Sequence, residues 1–431
     1  MKDSIFREYD IRGKFPNDIN EDVAYKIGLG YGSFIQEFLM QEACVVSYDN
    51  RPSSEKLHNS LIKGLTETGL KVIDYGLTTT PMHYYARHIN NLFGIMITAS
   101  HENDEYNGFK FSFDEYSDAK GIMVRDLKTY IDKGNFKSGN GIVEEKDIKD
   151  EYINYLTNHL KFGKRNIKVI FDLNNGTTST IINDVLKSLN INYILVNNDN
   201  LEERVKELNA NIAIKFDGDG DSFQIYDELG NLVSIEDYGI IILKNLIDKV
   251  ENKKFLFDNY CSDSFKKEIE KLNGISVTSM IGTNYGFEKI IKDNIPFGIH
   301  SNGTAFLNDR LYCTGSAIYG ALRLIEVLSK TDKTLSELVN TTIKYYSNQK
   351  TFESTNDKKN DVINNIKKYC NEKNYNYIEQ DGLKVIFKDS WAYIRASKTN
   401  DNIILTCNSN DKNNLDNLEK IFTTLIDIYN K

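Results

Sequence analysis

Residues 44–98 decide the fold class, because three short apolar runs are separated there by more polar segments. The runs read CVVSY at 44–48, KVIDY at 71–75 and FGIMIT at 93–98. Runs of this length are typical of buried strands, and residues 53–68, which begin with two serines, fit a capped helix. Strands that alternate with helical segments predict βαβ units and a largely parallel sheet. We therefore expect an α/β fold.

The same alternation of strand and helix patterns starts again near residue 167 and near residue 254. Three cycles of similar size suggest that one architecture is used three times. Beyond the third cycle the pattern changes to short strands around Trp391, a strand at 403–407 and a terminal helix. This change is typical of a smaller α+β domain at the C-terminal end.

The composition excludes several classes of protein. The chain has 431 residues, 40% of them hydrophobic and 27% charged, and its net charge is −9. This is typical of a globular protein of about three domains, and an acidic chain is a poor candidate for binding nucleic acid. No apolar run approaches a membrane span, and the N-terminal residues lack the apolar core of a signal peptide. The five cysteines show no metal or disulfide spacing. We therefore expect a soluble, cytoplasmic protein with reduced thiols and no nucleic-acid or membrane partner.

The run DGDGD at 217–221 is the strongest candidate for a metal site. It directly follows the apolar strand pattern at 212–216, and its carboxylates alternate with glycines. Three such carboxylates would repel one another unless a hard cation lay between them. A metal site at Asp217, Asp219 and Asp221 is therefore favoured over an acidic turn in solvent.

Two apparent motifs can be set aside. An EF-hand loop would begin at Asp217 and end at Glu228, but its sixth position requires glycine for a sharp turn and is Ser222 here. Strand patterns also flank the run where an EF-hand has helices. The glycines at 28, 30 and 32 lie inside a helical pattern and do not match a nucleotide-binding fingerprint.

Three turn-like segments remain as candidates for binding or catalysis. The run TASHENDEYNGFK at 98–110 places Ser100 at the carboxyl end of a strand, where open α/β sheets bind ligands. From the residues alone, an exposed capping serine is slightly favoured over a reactive one, and the adjacent His101 is unsuitable as the partner of a Ser–His nucleophile pair. The run GIHSNG at 298–303 is favoured as a plain turn. The run RASKT at 395–399 fits a phosphate cradle and a plain turn equally well.

Taken in order, these segments resemble the signatures of the α-D-phosphohexomutase superfamily, and the resemblance covers nearly the whole chain. The matching segments are FREYDIRG at 6–13, DYGLTTTP at 74–81, TASHENDEYNGFK at 98–110, DGDGD at 217–221, DGLKVIF at 381–387 and RASKT at 395–399. The resemblance implies four domains around a central cleft. Three would be α/β domains with mixed sheets of similar topology, and the last would be a smaller C-terminal α+β domain.

We expect the first and last domain joints in two polar, asparagine-rich segments, at 132–150 and 346–360. The middle joint is expected near residue 247. The predicted domains are 1–149, 150–247, 248–346 and 347–431.

The resemblance also implies a phosphoserine mechanism that interconverts hexose 1-phosphate and hexose 6-phosphate. Phosphorylated Ser100 would donate the phosphoryl group, and a hexose 1,6-bisphosphate would be the intermediate and activator. One Mg²⁺ would be held by Ser100, Asp217, Asp219 and Asp221. The other residues implied in catalysis are Lys110, for proton transfer, Arg12 and His101. Those implied in substrate binding are Tyr9, His300, Asn302, Arg395, Ser397, Lys398 and Thr399.

Several positions depart from the residues usual in that family. Glu102 adds a carboxylate beside the phosphoserine, and Ser222 replaces an arginine after the metal loop. In the sugar-recognition loop, His300, Asn302 and Thr304 stand where the family has Glu, Ser and His. Two alternatives to an enzyme of the phosphomannomutase/phosphoglucomutase type therefore remain open: a mutase for an amino or deoxy sugar phosphate, and a non-catalytic phosphosugar-binding relative. Either a monomer or a homodimer fits the sequence.

Overall fold

The computed structural model describes residues 1–397 and 401–431, apart from the side chain of Asn356. Within these residues, four β-sheets follow one another along the chain. The first three combine parallel and antiparallel strands, whereas the fourth is antiparallel throughout. The expected fold class, three mixed α/β sheets followed by a smaller α+β unit, is confirmed.

The first sheet has six strands in the order β1-β5-β4-β2-β3-β6. These strands are β1 (Ile11–Lys14), β2 (Ala43–Tyr48), β3 (Lys71–Leu77), β4 (Gly94–Ile97), β5 (Tyr106–Phe111) and β6 (Val143–Glu145). The helices of this part are α1 (Glu21–Phe38), α2 (Ser54–Glu67), α3 (Thr80–Asn90) and α4 (Gly121–Lys133). Thr79 caps helix α3, because its hydroxyl accepts a hydrogen bond from the Met82 amide, and Pro81 fits the first turn of the helix.

The second sheet has the order β11-β10-β9-β7-β8. Its strands are β7 (Lys168–Asp172), β8 (Asn192–Val196), β9 (Ile212–Phe216), β10 (Phe223–Asp227) and β11 (Leu232–Val233). The helices around it are α5 (Lys149–Thr157), α6 (Ile182–Ser188), α7 (Leu201–Glu207) and α8 (Ile235–Leu246). Gly239 of α8 lies close against Phe265 and Ile299 of the following part of the chain. The domain boundary predicted near residue 247 stays a prediction.

The third sheet has the order β13-β12-β14-β15, and the fourth the order β16-β20-β19-β18-β17. The strands of the third are β12 (Lys254–Asp258), β13 (Ile275–Ser279), β14 (Phe297–Ile299) and β15 (Ala305–Leu307), with helices α9 (Asp263–Lys271), α10 (Thr283–Lys292), α11 (Ala317–Leu328) and α12 (Leu335–Val339). The strands of the fourth are β16 (Tyr346–Glu353), β17 (Asn376–Glu379), β18 (Leu383–Ile386), β19 (Ser390–Ala396) and β20 (Asn402–Ser409), with helices α13 (Asn356–Glu372) and α14 (Lys412–Tyr429).

The first three sheets share one topology, which determines where the functional loops lie. Each sheet contains three parallel strands that lie side by side with the first strand between the third and the second, and an antiparallel strand follows the third strand through a hairpin. The first sheet adds β1 and β6 at its edges. The three hairpins are β4–β5, β9–β10 and β14–β15. Each hairpin loop begins at the carboxyl end of a parallel strand, which is where open α/β sheets bind ligands.

The domain joint predicted at 346–360 stays a prediction, but the first eight residues of that segment form a regular strand. Residues 346–353 form β16, the edge strand of the fourth sheet, and pair with β20 over their whole length. Within β16 only Phe352 is partly buried, so the strand is polar because both its faces meet solvent. A two-sided polar edge strand has the composition of a linker, so composition alone does not distinguish the two.

Two further findings concern the cysteines and the helices. All five cysteines are buried free thiols, as their scattered spacing indicated. The described residues contain no helix that combines the length and the apolar character needed to cross a membrane.

Candidate active site

The three hairpin loops meet at one cleft of about 570 Å³. The β4–β5 loop brings Ser100 and His101, the β9–β10 loop brings the acidic run, and the β14–β15 loop brings Asn302. The predicted site residues among its lining are Tyr9, Arg12, Ser100, His101, Lys110, Asp217, Asp221 and Asn302. Residues from all three α/β sheets therefore form a single site.

Ser100 lies in a loop whose backbone is held tightly. Its φ is +54°, in the left-handed region that non-glycine residues rarely adopt, and its amide donates to Thr98 Oγ1 at 2.9 Å. A Cβ on Gly218 of the metal loop would lie 2.6 Å from the Ser100 carbonyl oxygen, so only glycine allows the two loops to approach this closely. His101 Nδ1 lies 3.5 Å from Ser100 Oγ, at the outer limit of a hydrogen bond.

Arg51 holds the Ser100 loop in place, although the sequence analysis did not single it out. Its guanidinium donates to the carbonyl oxygens of Ser100, Glu102 and Asn103, each at 2.7 Å. Asp49 Oδ2 accepts from Arg51 Nε at 3.0 Å and fixes the guanidinium. Both residues follow strand β2, so their position at the end of a parallel strand was the available signal.

The acidic run forms a cluster suited to a hard cation. One carboxylate oxygen from each of Asp217, Asp219 and Asp221 lies within 4.8 Å of the others. Asp217 Oδ1 accepts three backbone amides, from Gly220, Asp221 and Ser222, and so fixes the loop. Among the described residues, none donates a hydrogen bond to the buried Asp219 Oδ1, so this oxygen is available to a metal ion.

The charge state of the cluster follows from burial and mutual repulsion. Burial, with the charges of Asp221 and Asp219, raises the pKa of Asp217 well above its ordinary value. Burial and Asp219 also raise the pKa of Asp221. Burial alone would raise the pKa of Asp219 as well, but the Lys110 ammonium outweighs burial and lowers it. A divalent cation would stabilise all three carboxylates in their charged form.

Lys110 and Thr80 connect the first domain to this cluster. Lys110 Nζ donates to Asp219 Oδ2 at 2.8 Å and to Asp221 Oδ2 at 3.3 Å. Burial would lower the pKa of Lys110, but the charges of both aspartates outweigh it and raise that pKa well above the ordinary value. Thr80, at the start of α3, donates its hydroxyl to Asp219 Oδ2 at 2.8 Å and its amide to the Asp219 carbonyl at 3.0 Å.

Two arginines compensate for the extra carboxylate of Glu102. Arg7 Nη1 and Arg12 Nη1 lie 3.6 and 3.7 Å from Glu102 Oε1. Arg12 also donates to Asp10 Oδ2 through Nε at 3.1 Å and Nη2 at 2.6 Å. The carboxylate beside Ser100 is therefore paired with cations, and the electrostatic cost expected from the sequence is offset.

The sugar-recognition loop is divided between cleft and core. Asn302 lines the cleft, and its Oδ1 accepts the Thr304 amide at 3.2 Å. His300 is only 1% exposed, its Nε2 lies 2.9 Å from Ser279 Oγ, and it packs edge-on against Phe306. The structure therefore does not bring His300 to the cleft surface, and Thr304 is fully buried as well.

The described residues of the predicted phosphate-binding loop lie beside a second cavity, of about 680 Å³. Arg395 Nη1 donates to Asp381 Oδ2 at 3.3 Å, and its guanidinium lies 5.4 Å from the centre of the Tyr260 ring. Ser397 and Glu8 line the second cavity, while Tyr9, the next residue, lines the first. Two further predicted residues, Lys398 and Thr399, lie outside the described residues.

Comparisons with known proteins agree with this geometry. A family model described as phosphoglucomutase/phosphomannomutase, alpha/beta/alpha domain I, matches residues 3–135, and the corresponding model for domain III matches residues 236–346. The phosphomannomutase/phosphoglucomutase of Pseudomonas putida is 27% identical to this chain over an alignment of 446 positions. The alignment covers 98% of this chain and 96% of the relative.

Solved structures have the same fold. A phosphoglucomutase/phosphomannomutase family protein from Burkholderia thailandensis has a TM-score of 0.91 at 22% identity, over 100% of this chain and 98% of the other. The N-acetylphosphoglucosamine mutase of Aspergillus fumigatus, crystallised with GlcNAc-6P and magnesium, has a TM-score of 0.57 at 15% identity, over 91% of this chain and 78% of its own. The chain therefore belongs to the α-D-phosphohexomutase superfamily, within its phosphoglucomutase/phosphomannomutase family.

Proposed function

We propose that the protein is a phosphohexomutase that interconverts the 1- and 6-phosphates of a hexose through a phosphoserine at position 100. The observation that carries this proposal is the meeting of Ser100, Lys110 and the three aspartates at one cleft. These residues come from two different sheets, and phosphoryl transfer needs all three kinds of group together. The full-length relative in Pseudomonas putida, a phosphomannomutase/phosphoglucomutase, supports the same reaction class.

The reaction is a balanced exchange of a phosphoryl group and a proton. The bond between Ser100 Oγ and phosphorus breaks, and a bond forms between phosphorus and a hydroxyl oxygen of the sugar phosphate. The hydroxyl proton ends on Ser100 Oγ, and a hexose 1,6-bisphosphate results. The bisphosphate then returns its other phosphoryl group to Ser100. Lys110 is assigned to the proton transfer, and its charge also favours the anionic transition state.

The acidic cluster fits Mg²⁺, because it offers hard oxygen ligands and a buried carboxylate oxygen without a hydrogen-bond donor among the described residues. Asp217, Asp219 and Asp221, together with a phosphate oxygen on Ser100, would hold the ion. A bound Mg²⁺ supplies positive charge where phosphoryl transfer develops negative charge. The magnesium in the Aspergillus fumigatus mutase supports this assignment.

The non-transferring phosphate is assigned to the fourth domain. Arg395 and Ser397 lie on and just after β19, and the predicted loop continues with Lys398 and Thr399. Arg12, His101 and Tyr9 are assigned to the reacting end, where they line the cleft with Ser100. A sugar phosphate would then be held at both ends.

The identity of the sugar is a separate proposal, and Asn302 is its main determinant. In the described part of the loop, Asn302 lines the cleft, whereas His300 and Thr304 are buried. An amide both donates and accepts hydrogen bonds, so it suits a hydroxyl or an acylated amine on the sugar. A coupled assay with the 1-phosphates of glucose, mannose, glucosamine and N-acetylglucosamine would identify the substrate. An Asn302→Ala variant should change the order of preference.

The central test is phosphorylation of Ser100. Intact-mass spectrometry should show a phosphate-sized increment after incubation with glucose 1,6-bisphosphate, and Ser100→Ala should lack it. The matched control is Ser188→Ala, which changes an exposed serine of α6 and should retain the increment. An increment in Ser100→Ala, or none in the parent protein, would contradict the proposal.

A further inference from the structure

The cleft must bind a phosphate dianion although its own charge is close to balanced. Within the described residues, four carboxylates line the cleft, from Asp10, Asp118, Asp217 and Asp221. The same lining contains three permanent cations, from Arg12, Lys110 and Lys215. A phosphate group therefore needs a cation that is not already neutralised by a neighbouring carboxylate.

Two of the three cations are already engaged. Arg12 forms two hydrogen bonds with Asp10. Lys110 forms hydrogen bonds with Asp219 and Asp221, and it is buried. Breaking either arrangement would leave a buried carboxylate without its partner, which is costly.

Lys215 is the least engaged of the three. Its Nζ lies 3.4 Å from Asp172 Oδ2, an ion pair without a hydrogen bond, and no other partner is found for it in the described part of the chain. Its side chain remains 31% exposed, compared with 10% for Arg12 and 12% for Lys110. Asp172 is buried, but its Oδ1 keeps the backbone amides of Asn174 and Asn198 as donors when Lys215 moves. Of the three cations, Lys215 therefore turns toward a ligand with the smallest loss.

The position of Lys215 directs it to the reacting end of the cleft. It lies in β9, two residues before Asp217, and the register places it opposite Asp172 on one side and Gln224 on the other. The β9–β10 loop touches the Ser100 loop, because Gly218 approaches the Ser100 carbonyl. Ser222, at the far end of this loop, also lines the cleft.

We propose that Lys215 binds the phosphoryl group transferred between Ser100 and the sugar, and so is a substrate-binding residue of this chain. A flexible ammonium on a strand end forms charge-assisted hydrogen bonds with phosphate oxygens. This inference rests on the proposed phosphohexomutase function.

The test compares variants of the full-length protein by turnover and by binding. Lys215→Met should lose about ten-fold in kcat/KM and about ten-fold in affinity for glucose 6-phosphate, measured by calorimetry, as removal of one charge-assisted contact predicts. Lys215→Arg should retain most of both. Adding Ser222→Arg to Lys215→Met should restore part of the affinity, because the new cation enters the same cleft. Lys187→Met, which changes an exposed lysine of α6, should match the parent protein.

A second variant separates phosphate binding from a purely structural role. If Lys215 only supports the buried Asp172, then Asp172→Asn should weaken glucose 6-phosphate binding as much as Lys215→Met, and this result would overturn the proposal. If Lys215 binds phosphate, Asp172→Asn should retain or increase the affinity, since it frees the ammonium. Parent affinity in Lys215→Met would also refute the proposal. The binding measurement does not depend on turnover, so failure of the mutase function itself would be seen separately, as a missing phosphoserine.

Discussion

Arg51 shows how one side chain can fix the shape of the loop that contains Ser100. Its guanidinium reaches four backbone carbonyls of the Ser100 loop, the fourth being that of Tyr106 at 3.2 Å. These contacts account for the left-handed φ of Ser100, because they over-determine the backbone around it. In the phosphoryl transfer proposed for Ser100, a serine held in this way would need little reorganisation.

Metal binding is tested most directly at Asp219. Asp219→Asn should abolish the heat of Mg²⁺ binding in calorimetric titration, because it removes one of three charges from the cluster and the partner of Lys110. The matched control is Asp416→Asn, an exposed aspartate of α14, which should bind Mg²⁺ as the parent does. Circular dichroism would establish that both variants are folded. Parent-like binding by Asp219→Asn would refute the metal site.

Short motifs predicted eight of the residues that line the cleft, but they did not predict the direction of every side chain. Ser100, Lys110 and the aspartates were expected together, and the structure brings them together. His300 was expected at the substrate but lies in the core, because its ring packs against Phe306 and its Nε2 lies 2.9 Å from Ser279 Oγ. The role of Arg51 depends on carbonyls some fifty positions away in the chain, and no local pattern records such a contact.

Helices α1 and α2 pack with their backbones almost in contact. A Cβ on Gly28 would lie 2.3 Å from the Leu61 carbonyl oxygen, and a Cβ on Gly64 would lie 2.2 Å from the Tyr25 carbonyl oxygen. The glycines at this crossing therefore serve helix packing. The glycines at 28, 30 and 32 did not match a nucleotide-binding fingerprint in the sequence, and the close approach of the helices supplies the reason for the glycine at position 28.

Replacing Gly64 by alanine should destabilise the first domain by about 1–3 kcal/mol, the usual cost of overpacking. Alanine is the better helix former by roughly 1 kcal/mol, but the clash is with rigid backbone and outweighs that gain. Thermal unfolding would measure the effect. The control Asn59→Ala, at an exposed position of the same helix, should leave the melting temperature unchanged or raise it slightly. If Gly64→Ala and the parent had equal stability, helices α1 and α2 would be able to move apart without a loss of free energy, and the prediction would be wrong.

At the level of elements, buried parallel strands were the easiest to predict. The expected strand at 212–216 agrees with β9 at both ends, since an apolar run flanked by polar turns is unambiguous. Strands β1 and β5, which complete the first sheet, were not predicted. Their sequences, IRGK and YNGFKF, mix charged residues and glycine, because they end in or near the cleft. Pairing partners of this kind are selected by tertiary contacts and not by local propensity.

Lys384 is a contact between the third and fourth parts of the molecule. Its Nζ donates to the Asn259 carbonyl at 3.0 Å and lies 3.8 Å from the centre of the Trp391 ring. Burial lowers the pKa of Lys384 from 10.5 to about 8, although Asp263 and Asp258 nearby favour the charged form. The interface between these parts therefore contains a lysine that loses its proton more readily than an exposed one.

This shift predicts how stability depends on pH. Between about pH 8 and the ordinary pKa of lysine, the unfolded chain holds a proton that the folded protein has released, so raising the pH stabilises the folded state. From about pH 7 to about pH 9 the gain should be about 1 kcal/mol. Lys384→Met should lack this gain, so the melting temperature of the parent should rise relative to that of the variant. A constant difference between the two would show that Lys384 has an ordinary pKa in the folded protein.

The burial of the five cysteines has a practical consequence for measuring conformational change in the whole molecule by site-specific labelling. A thiol reacts with alkylating reagents as its thiolate, and burial raises the pKa of Cys370 to about 11 and those of Cys313 and Cys407 to about 12. Native thiols should therefore label slowly. Cysteines introduced at Met40, which is 81% exposed, and at Ile378, which is 51% exposed, would label first and carry a fluorescent donor and acceptor. Because the native cysteines should take up little label, the distance between the first and last sheets could be measured in the presence and absence of a sugar phosphate without first replacing those cysteines.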